Sequence, residues 1–192
     1  MTSTTATALW IGTALLTAVA MELWAALLHG RLWHGPLWSV HGSHHRRRKG
    51  AWERNDALSV LHAPLAMALI LHGCLAVPGV TREIAFGVGI GMTLFGVAYV
   101  LVHDGLVHRR LPVAWLARIP YLARVRDAHL VHHRTNAAPH GLFLGPWVVA
   151  RLPAHLPRPL TPPSRTPAAG PSPTARSPLH PARPAPPGTH SA

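Results

Sequence analysis

Sixteen histidines stand in a chain of 192 residues, and ten of them fall into four clusters. His41, His44 and His45 form one His-x-x-His-His string, and His129, His132 and His133 form a second. Each is preceded by a His-x4-His pair, His29 with His34 and His103 with His108. Imidazole nitrogens without cysteine suit zinc, iron, copper or nickel rather than magnesium or calcium. A tetrahedral zinc takes about four ligands, so ten point to two ions of coordination number five or six. Two metals rich in neutral nitrogen ligands fit non-haem di-iron oxygen chemistry, with O2 as co-substrate. In such a centre the iron activates O2 while the protein supplies geometry and a pocket that excludes water.

Helical geometry sets how these residues can meet. Positions i, i+3 and i+4 share a helix face, so each His-x-x-His-His is expected to present three imidazoles toward one point. The His-x4-His pairs differ. Five residues turn an α-helix by roughly 500°, which leaves the two side chains about 140° apart. They converge on one metal only at a helix end, or else serve two ions. The acids and amide near the clusters, Glu53, Asn55, Asp56, Asp104 and Asp127, read as partners that orient imidazoles rather than as ligands. Glu22 is an acid within an apolar run, a costly placement that is usually functional. It lies roughly 10 Å from His29 along one helix face and would support the site through a neighbouring group. His62 and His72, alone in an apolar run, read as hydrogen-bonded core residues. His140, His155, His180 and His190 have no partner at ligand spacing.

The elements that carry these residues are membrane helices. The hydrophobic fraction is 48% and the charged fraction 12%, against about 25% charged in a soluble domain. Ala8 to Leu28 is a run whose one charge is Glu22, with no basic residue before Arg31, so it reads as a retained span rather than a signal peptide. Residues 57–78 and 84–102 are two further apolar runs, and Gly87 and Gly91 have the small-xxx-small spacing that lets membrane helices approach closely. Residues 139–152 are apolar but broken by Pro139, Gly141, Gly145 and Pro146, which suggests an interfacial or re-entrant segment. The expected fold is all-α and integral to the membrane: three to four transmembrane helices under a cytoplasmic histidine-rich helical cap. Residues 1–152 would be the membrane domain. Of residues 153–192, 13 are proline, the composition of a disordered tail.

Charge gives the orientation. Eighteen Lys and Arg against six Asp and Glu leave +12, but the basic residues flank apolar spans, so the anionic membrane surface is the expected partner and not nucleic acid. Six basic residues, including Arg46-Arg47-Arg48-Lys49, lie between spans one and two, only Arg82 between spans two and three, and seven between span three and the tail. The positive-inside rule then puts both histidine-bearing regions on the cytoplasmic face. The lone Cys74 excludes an intrachain disulfide. A histidine-rich transporter would carry ligands through the middle of its spans, whereas these clusters sit at span ends. His62 and His72 are about 15 Å apart on one helix and cannot hold one haem. Composition does not choose between a carotenoid, an acyl chain and a sterol, so a membrane fatty-acid or lipid hydroxylase or desaturase is the alternative.

The strings His29-Gly-Arg-Leu-Trp-His34-Gly35, His41-Gly-Ser-His44-His45, Lys49-Gly-Ala-Trp52-Glu53-Arg-Asn55-Asp56, His103-Asp104-Gly-Leu-Val-His108 and Ala128-His129-Leu-Val-His132-His133 resemble the bacterial β-carotene hydroxylases, within the fatty-acid hydroxylase/sterol desaturase superfamily. Met21-Glu22 and Gly141-Leu-Phe-Leu144 add to the likeness, which covers roughly residues 8–150. Trp52 stands where that family usually has Phe, and the proline-rich tail lies outside the pattern. The resemblance implies O2-dependent hydroxylation at carbon 3 of β-ionone rings, from β-carotene through β-cryptoxanthin to zeaxanthin, with canthaxanthin to astaxanthin as a further conversion. It also implies two iron ions on the ten clustered histidines, a ferredoxin-type electron donor, and a place in the bacterial inner membrane.

Overall fold

The computed structural model describes residues 2–46, 50 and 52–151. The expected disordered tail and the basic residues Arg47, Arg48 and Lys49 lie outside the described residues.

The described residues are helical, with no strand among them. Helix α1 (Ser3–Leu28) starts where the Thr2 hydroxyl accepts the Thr5 backbone N–H at 3.2 Å. It runs on without a break into a wider turn, His29–Trp33. Two short helices follow, α2 (Trp38–His41) and α3 (Asp56–Ser59). Helix α4 (Ala63–Leu75) carries Pro64 in its first turn, where a missing N–H breaks no intrahelical bond. Helix α5 (Val80–Tyr99) again widens, over Val100–Val107. After a short tight turn at Ala114–Arg118, α6 (Pro120–Thr135) starts on a proline and stops at Asn136, whose φ of 56° is the left-handed conformation that ends helices. Helix α7 (Gly145–Val149) completes the chain's described part.

Three stretches are long and apolar enough to cross a bilayer: Ser3–Trp33, Asp56–Leu75 and Val80–Val107. Leu16, Val19, Leu65, Met67 and Leu71 are exposed on them. A helix that is apolar all round belongs in lipid. The chain is therefore a three-span membrane protein, and the fourth span allowed by the sequence is absent among the described residues, because residues 145–149 make little more than one turn.

Helix α5 is the centre of the bundle, and α1 and α4 both pack on it rather than on each other. Its glycines explain how. A Cβ on Gly87 would fall 2.5 Å from the Trp10 carbonyl oxygen, and one on Gly91 would fall 2.4 Å from that of Ala14. Gly89 turns to the other side, against Ala66 and Ile70 of α4. Small residues let the backbones touch where lipid provides no hydrophobic drive between helices. On the membrane face where α1 and α5 both end, Val102, Leu106, Val125 and Leu142 form a small core that fastens α6 and the segment after it to the spans.

Candidate metal centres

All ten clustered histidines meet at that face, in two groups of five. His29, His34, His41, His45 and His132 offer ligand nitrogens within 4.8 Å of one another, and so do His44, His103, His108, His129 and His133. Either group could hold a metal ion.

The wider turns account for the His-x4-His pairs. The backbone N–H of His34 donates to the His29 carbonyl at 3.0 Å, and that of His108 to His103 at 3.0 Å. These are i→i+5 bonds, the π-helical pattern that recurs at functional sites. With each bond spanning one more residue than in the usual ladder, i+5 takes the place that i+4 holds in an α-helix, and the 140° divergence expected from α-geometry is largely removed. Both members of each pair thus reach the same group.

The expectation that each His-x-x-His-His aims at one point is corrected. His41 and His45 go to the first group while His44 crosses to the second. His129 and His133 go to the second while His132 crosses to the first. In α6 the reason is angular: i+3 and i+4 sit about 100° apart around the axis, on either side of residue i; the first string instead leaves the end of α2 through i→i+3 turns, with the Ser43 N–H on the Val40 carbonyl at 3.2 Å and the His44 N–H on that of His41 at 2.8 Å. The i, i+4 members close on each other, with Nε2 atoms 3.2 Å apart for His41 and His45 and 3.1 Å for His129 and His133. The i+3 member then faces the other group. There His44 Nε2 lies 3.1 Å from that of His103, and His132 Nε2 lies 3.2 Å from that of His34.

The outer ring nitrogens fix which inner nitrogen carries a lone pair. His29 Nδ1–H donates to the His140 carbonyl at 2.8 Å, and His132 Nδ1–H to the Ala137 carbonyl at 2.6 Å. The Nδ1–H groups of His41, His44 and His103 donate to Asn55 Oδ1 (2.7 Å), Glu53 Oε2 (3.1 Å) and Asp104 Oδ1 (2.9 Å). A neutral imidazole has one donor and one acceptor nitrogen. The Nε2 atoms of His29 and His41, 3.0 Å apart, are therefore both acceptors, as are those of His44 and His103. Lone pairs face each other at a distance that only a cation between them makes favourable. At metal–nitrogen bonds of about 2.1 Å, neighbouring ligands at right angles are about 3.0 Å apart, so the donor set fits a metal ion. Burial and the neighbouring imidazoles hold His34 and His45 near a pKa of about 4, His132 near about 3 and His133 near about 2. They lower His41, His44 and His129 as well. At neutral pH these rings are uncharged, the form that ligates.

Behind the rings the supporting residues connect. Asp56 Oδ2 accepts the Glu53 backbone N–H at 3.0 Å, and the Asp56 carboxylate takes both Nη atoms of Arg110 at 2.7 Å. Arg110 Nη1 also lies 3.8 Å from Asp104 Oδ1. One guanidinium thus links Asp104, behind His103, to Asp56, which holds the backbone of Glu53 behind His44. Arg110 looks in the sequence like one more basic residue at the headgroups, and its role rests on a partner 54 positions away. Asp127 differs: among the described residues its hydrogen bonds go to Arg126 rather than to an imidazole. Glu22 is buried, and its Oε1 accepts the Leu144 N–H at 2.8 Å and abuts Gly141. It anchors the segment whose His140 carbonyl holds His29. The His140 ring also stands 5.3–5.5 Å from those of His29, His34 and His132. Its spacing to any cluster gives no sign of this. His62 accepts from Trp24 Nε1 at 2.9 Å, and His72 is exposed on α4, so neither joins a group.

Beside both groups lies an apolar cavity of about 520 Å³ between α1, α4 and α5. Its upper wall contains Trp33, whose ring packs 5.5 Å from His29 and 5.6 Å from His41, and Tyr99, stacked 4.6 Å from His103.

Comparison with known proteins agrees with this arrangement. The family model for fatty acid hydroxylase matches residues 14–148. A chloroplastic beta-carotene 3-hydroxylase 2 of Arabidopsis thaliana is 48% identical over 137 residues, 70% of this chain and 45% of that protein. A chloroplastic beta-carotene 3-hydroxylase of Haematococcus lacustris is 43% identical over 140 residues, covering 71% and 43%. The beta-carotene hydroxylase of Pseudescherichia vulneris is 42% identical over 142 residues, covering 74% of this chain and 77% of its own length. The chain spans less than half the length of the plant and algal relatives. No solved structure matches it significantly. Histidines clustered at the ends of membrane helices, a family model over most of the described residues and these relatives agree: the chain belongs to the fatty acid hydroxylase family.

Proposed function

We propose that this chain hydroxylates carbon 3 of carotenoid β-ionone rings, acting on β-carotene and on its singly hydroxylated product. The observation that carries the reading is the shared wall between the two histidine groups and the apolar cavity. Trp33 and Tyr99 touch ring ligands on one side and line the cavity on the other. A substrate dissolved in lipid reaches such a site without crossing water, and the relatives' names supply the carotenoid.

The ten histidines would hold two iron ions, five to each, which when bound supply the activation of O2. The protein's own residues do the rest. The Nδ1–H tethers fix ring orientation and keep Nε2 lone pairs inward, as second-shell partners do. Burial of His29, His103, His129 and His132 excludes water. Each turnover converts one C–H to C–OH and consumes one O2, two electrons and two protons, with water as the second product. A ferredoxin-type iron–sulfur donor supplies the electrons, and the exposed Arg109, Arg118, Arg124 and Arg134 of the cap suit an acidic partner. The same arginines support a cytoplasmic cap at the inner membrane.

Expression in cells that accumulate β-carotene, followed by pigment analysis and iron determination, tests the proposal. Zeaxanthin is the expected product, with about two irons per chain. Unchanged β-carotene beside hydroxylated or desaturated acyl chains would establish the lipid-hydroxylase alternative. Active protein devoid of iron would overturn the di-iron site.

A further inference from the structure

We infer that the two metal groups are unequal: the second, built by His44, His103, His108, His129 and His133, holds its ion more tightly and keeps it oxidised longer than the first. This rests on the two-iron reading above and not on the identity of the substrate.

The inner nitrogens do not separate the groups, since each offers five imidazoles within the same 4.8 Å. The atoms behind the rings do. In the first group three rings are held by uncharged acceptors: the His140 carbonyl behind His29, the Ala137 carbonyl behind His132 and the Asn55 amide oxygen behind His41. In the second group two rings are held by carboxylates, Glu53 behind His44 and Asp104 behind His103.

Burial lets this difference be felt. The Glu53 and Asp104 side chains are 11% and 17% exposed, and the rings they hold 3% each. Water screens such charges weakly, so their field reaches an ion on the far side of each ring. Arg110 does not cancel it. Its Nη atoms lie 2.7 Å from the Asp56 carboxylate oxygens, while Nη1 is 3.8 Å from Asp104. Among the described residues Glu53, Asp56 and Asp104 therefore set three negative charges against one positive. Glu22 adds no matching charge behind a ring of the first group. Its Oε1 accepts the Leu144 backbone N–H, and its Oε2 takes no hydrogen bond.

A carboxylate behind a ligand imidazole has two effects. It draws the Nδ1 proton outward and makes Nε2 a stronger donor to a metal. It also sets negative charge near the cation, which favours the higher oxidation state over the lower. An outer partner of a ligand histidine changes metal affinity by about 10–100-fold. The second group should therefore release its ion last. With both ions ferric, the first electron from an iron–sulfur donor should make the ion of the first group ferrous, and the second electron that of the second.

The test reads metal rather than turnover. The full chain in detergent, loaded with iron-57, is titrated with a ferrous chelator in the absence of air. Iron should leave in two steps at least about tenfold apart in chelator concentration. His34→Ala should remove the late step's companion, the early one, and His133→Ala the late one. Glu53→Gln combined with Asp104→Asn keeps an acceptor behind each ring but not the charge. It should bring the late step onto the early one and leave the early one in place. Each single variant should move the late step part of the way, so the outcome does not depend on the double variant folding. Mössbauer spectra during stepwise dithionite addition read the order of reduction, and the iron whose signal is absent from His34→Ala should turn ferrous first.

A single release step, a late step that the amide variants leave in place, or first reduction at the iron lost from His133→Ala would overturn the inference and leave the hydroxylase reading intact. Protein that shows both steps yet oxidises no carotenoid would uphold the inference and overturn that reading. Protein that binds no iron would overturn both.

Discussion

His44 and His132 trade places. Each belongs to a His-x-x-His-His string whose other two members serve one group, and each delivers its own imidazole to the opposite group, His44 beside His103 and His132 beside His34. The exchange gives the site an approximate two-fold character. Each half of the chain supplies a wide-turn pair and an i, i+4 pair to its own group, and one histidine to the other. Neither half holds five nitrogens by itself.

The exchange gives crossed phenotypes. His44→Ala should deplete the group built by His103, His108, His129 and His133, although it lies in the first half of the sequence. His132→Ala should deplete the group built around His29. Both should reduce turnover by at least about 100-fold, and metal analysis with spectroscopy of each variant should report one disturbed ion and one retained. Loss confined to the group nearest in sequence would contradict the pairing.

Asn55 is buried and holds His41 through Nδ1. Asn55→Ala should lower metal affinity or activity by about 10–100-fold, the usual loss when an outer partner of a ligand histidine is removed. Asn55→Asp keeps an acceptor at that point and should recover most of the loss. Metal titration of the two variants in detergent distinguishes this positioning role from simple destabilisation, which would show equally in the unfolding curve of the metal-free protein.

Arg110 and Asp56 are both largely buried and bond through two N–H···O contacts of 2.7 Å. A double-mutant cycle on Arg110→Ala and Asp56→Ala should show coupling on the order of 1–3 kcal/mol in unfolding free energy. Arg110→Lys should not restore it, because an ammonium cannot grip a carboxylate at two points. Independent, additive effects of the two substitutions would dismiss the pair as a structural tie.

Acid should destabilise the metal-free protein through its histidines. His34, His45, His132 and His133 have folded pKa values lowered to about 4, 4, 3 and 2. Below the ordinary value of about 6.5 the unfolded chain therefore binds protons that the folded chain refuses. Stability is fully present above pH 6.5 and falls progressively as pH drops toward 4 and then 2. Denaturant unfolding at a series of pH values checks the slope, and bound metal should dissociate over the same acid range. A flat profile between pH 6.5 and 4 would mean these rings are not held neutral by burial.

The histidines were legible from type and spacing, and the three spans from hydropathy, because both signals are local. Their partition was not. The sequence suggests regular α-geometry, and it was the i→i+5 turns at His29–Trp33 and Val100–Val107 that brought His34 and His108 onto their partners' side. The supporting residues Glu53, Asn55 and Asp104 could be named because they lie near the clusters in the chain. Arg110 and the His140 carbonyl could not, since their partners lie 54 and 111 positions away and nothing in their flanking residues announces the contact. Glu22 stood out only because a carboxylate inside a span demands a reason, and the backbone of residues 141–144 supplies it.

The glycine seam between α5 and its two neighbours also makes the protein one-sided. Backbone meets backbone in the half of the bilayer remote from the histidines, so the tightest helix packing and the histidine-bearing face lie at opposite ends of the same bundle. On the proposed hydroxylase reading, a hydroxyl would be installed beside the headgroups of a single leaflet, already placed where a polar group is most stable.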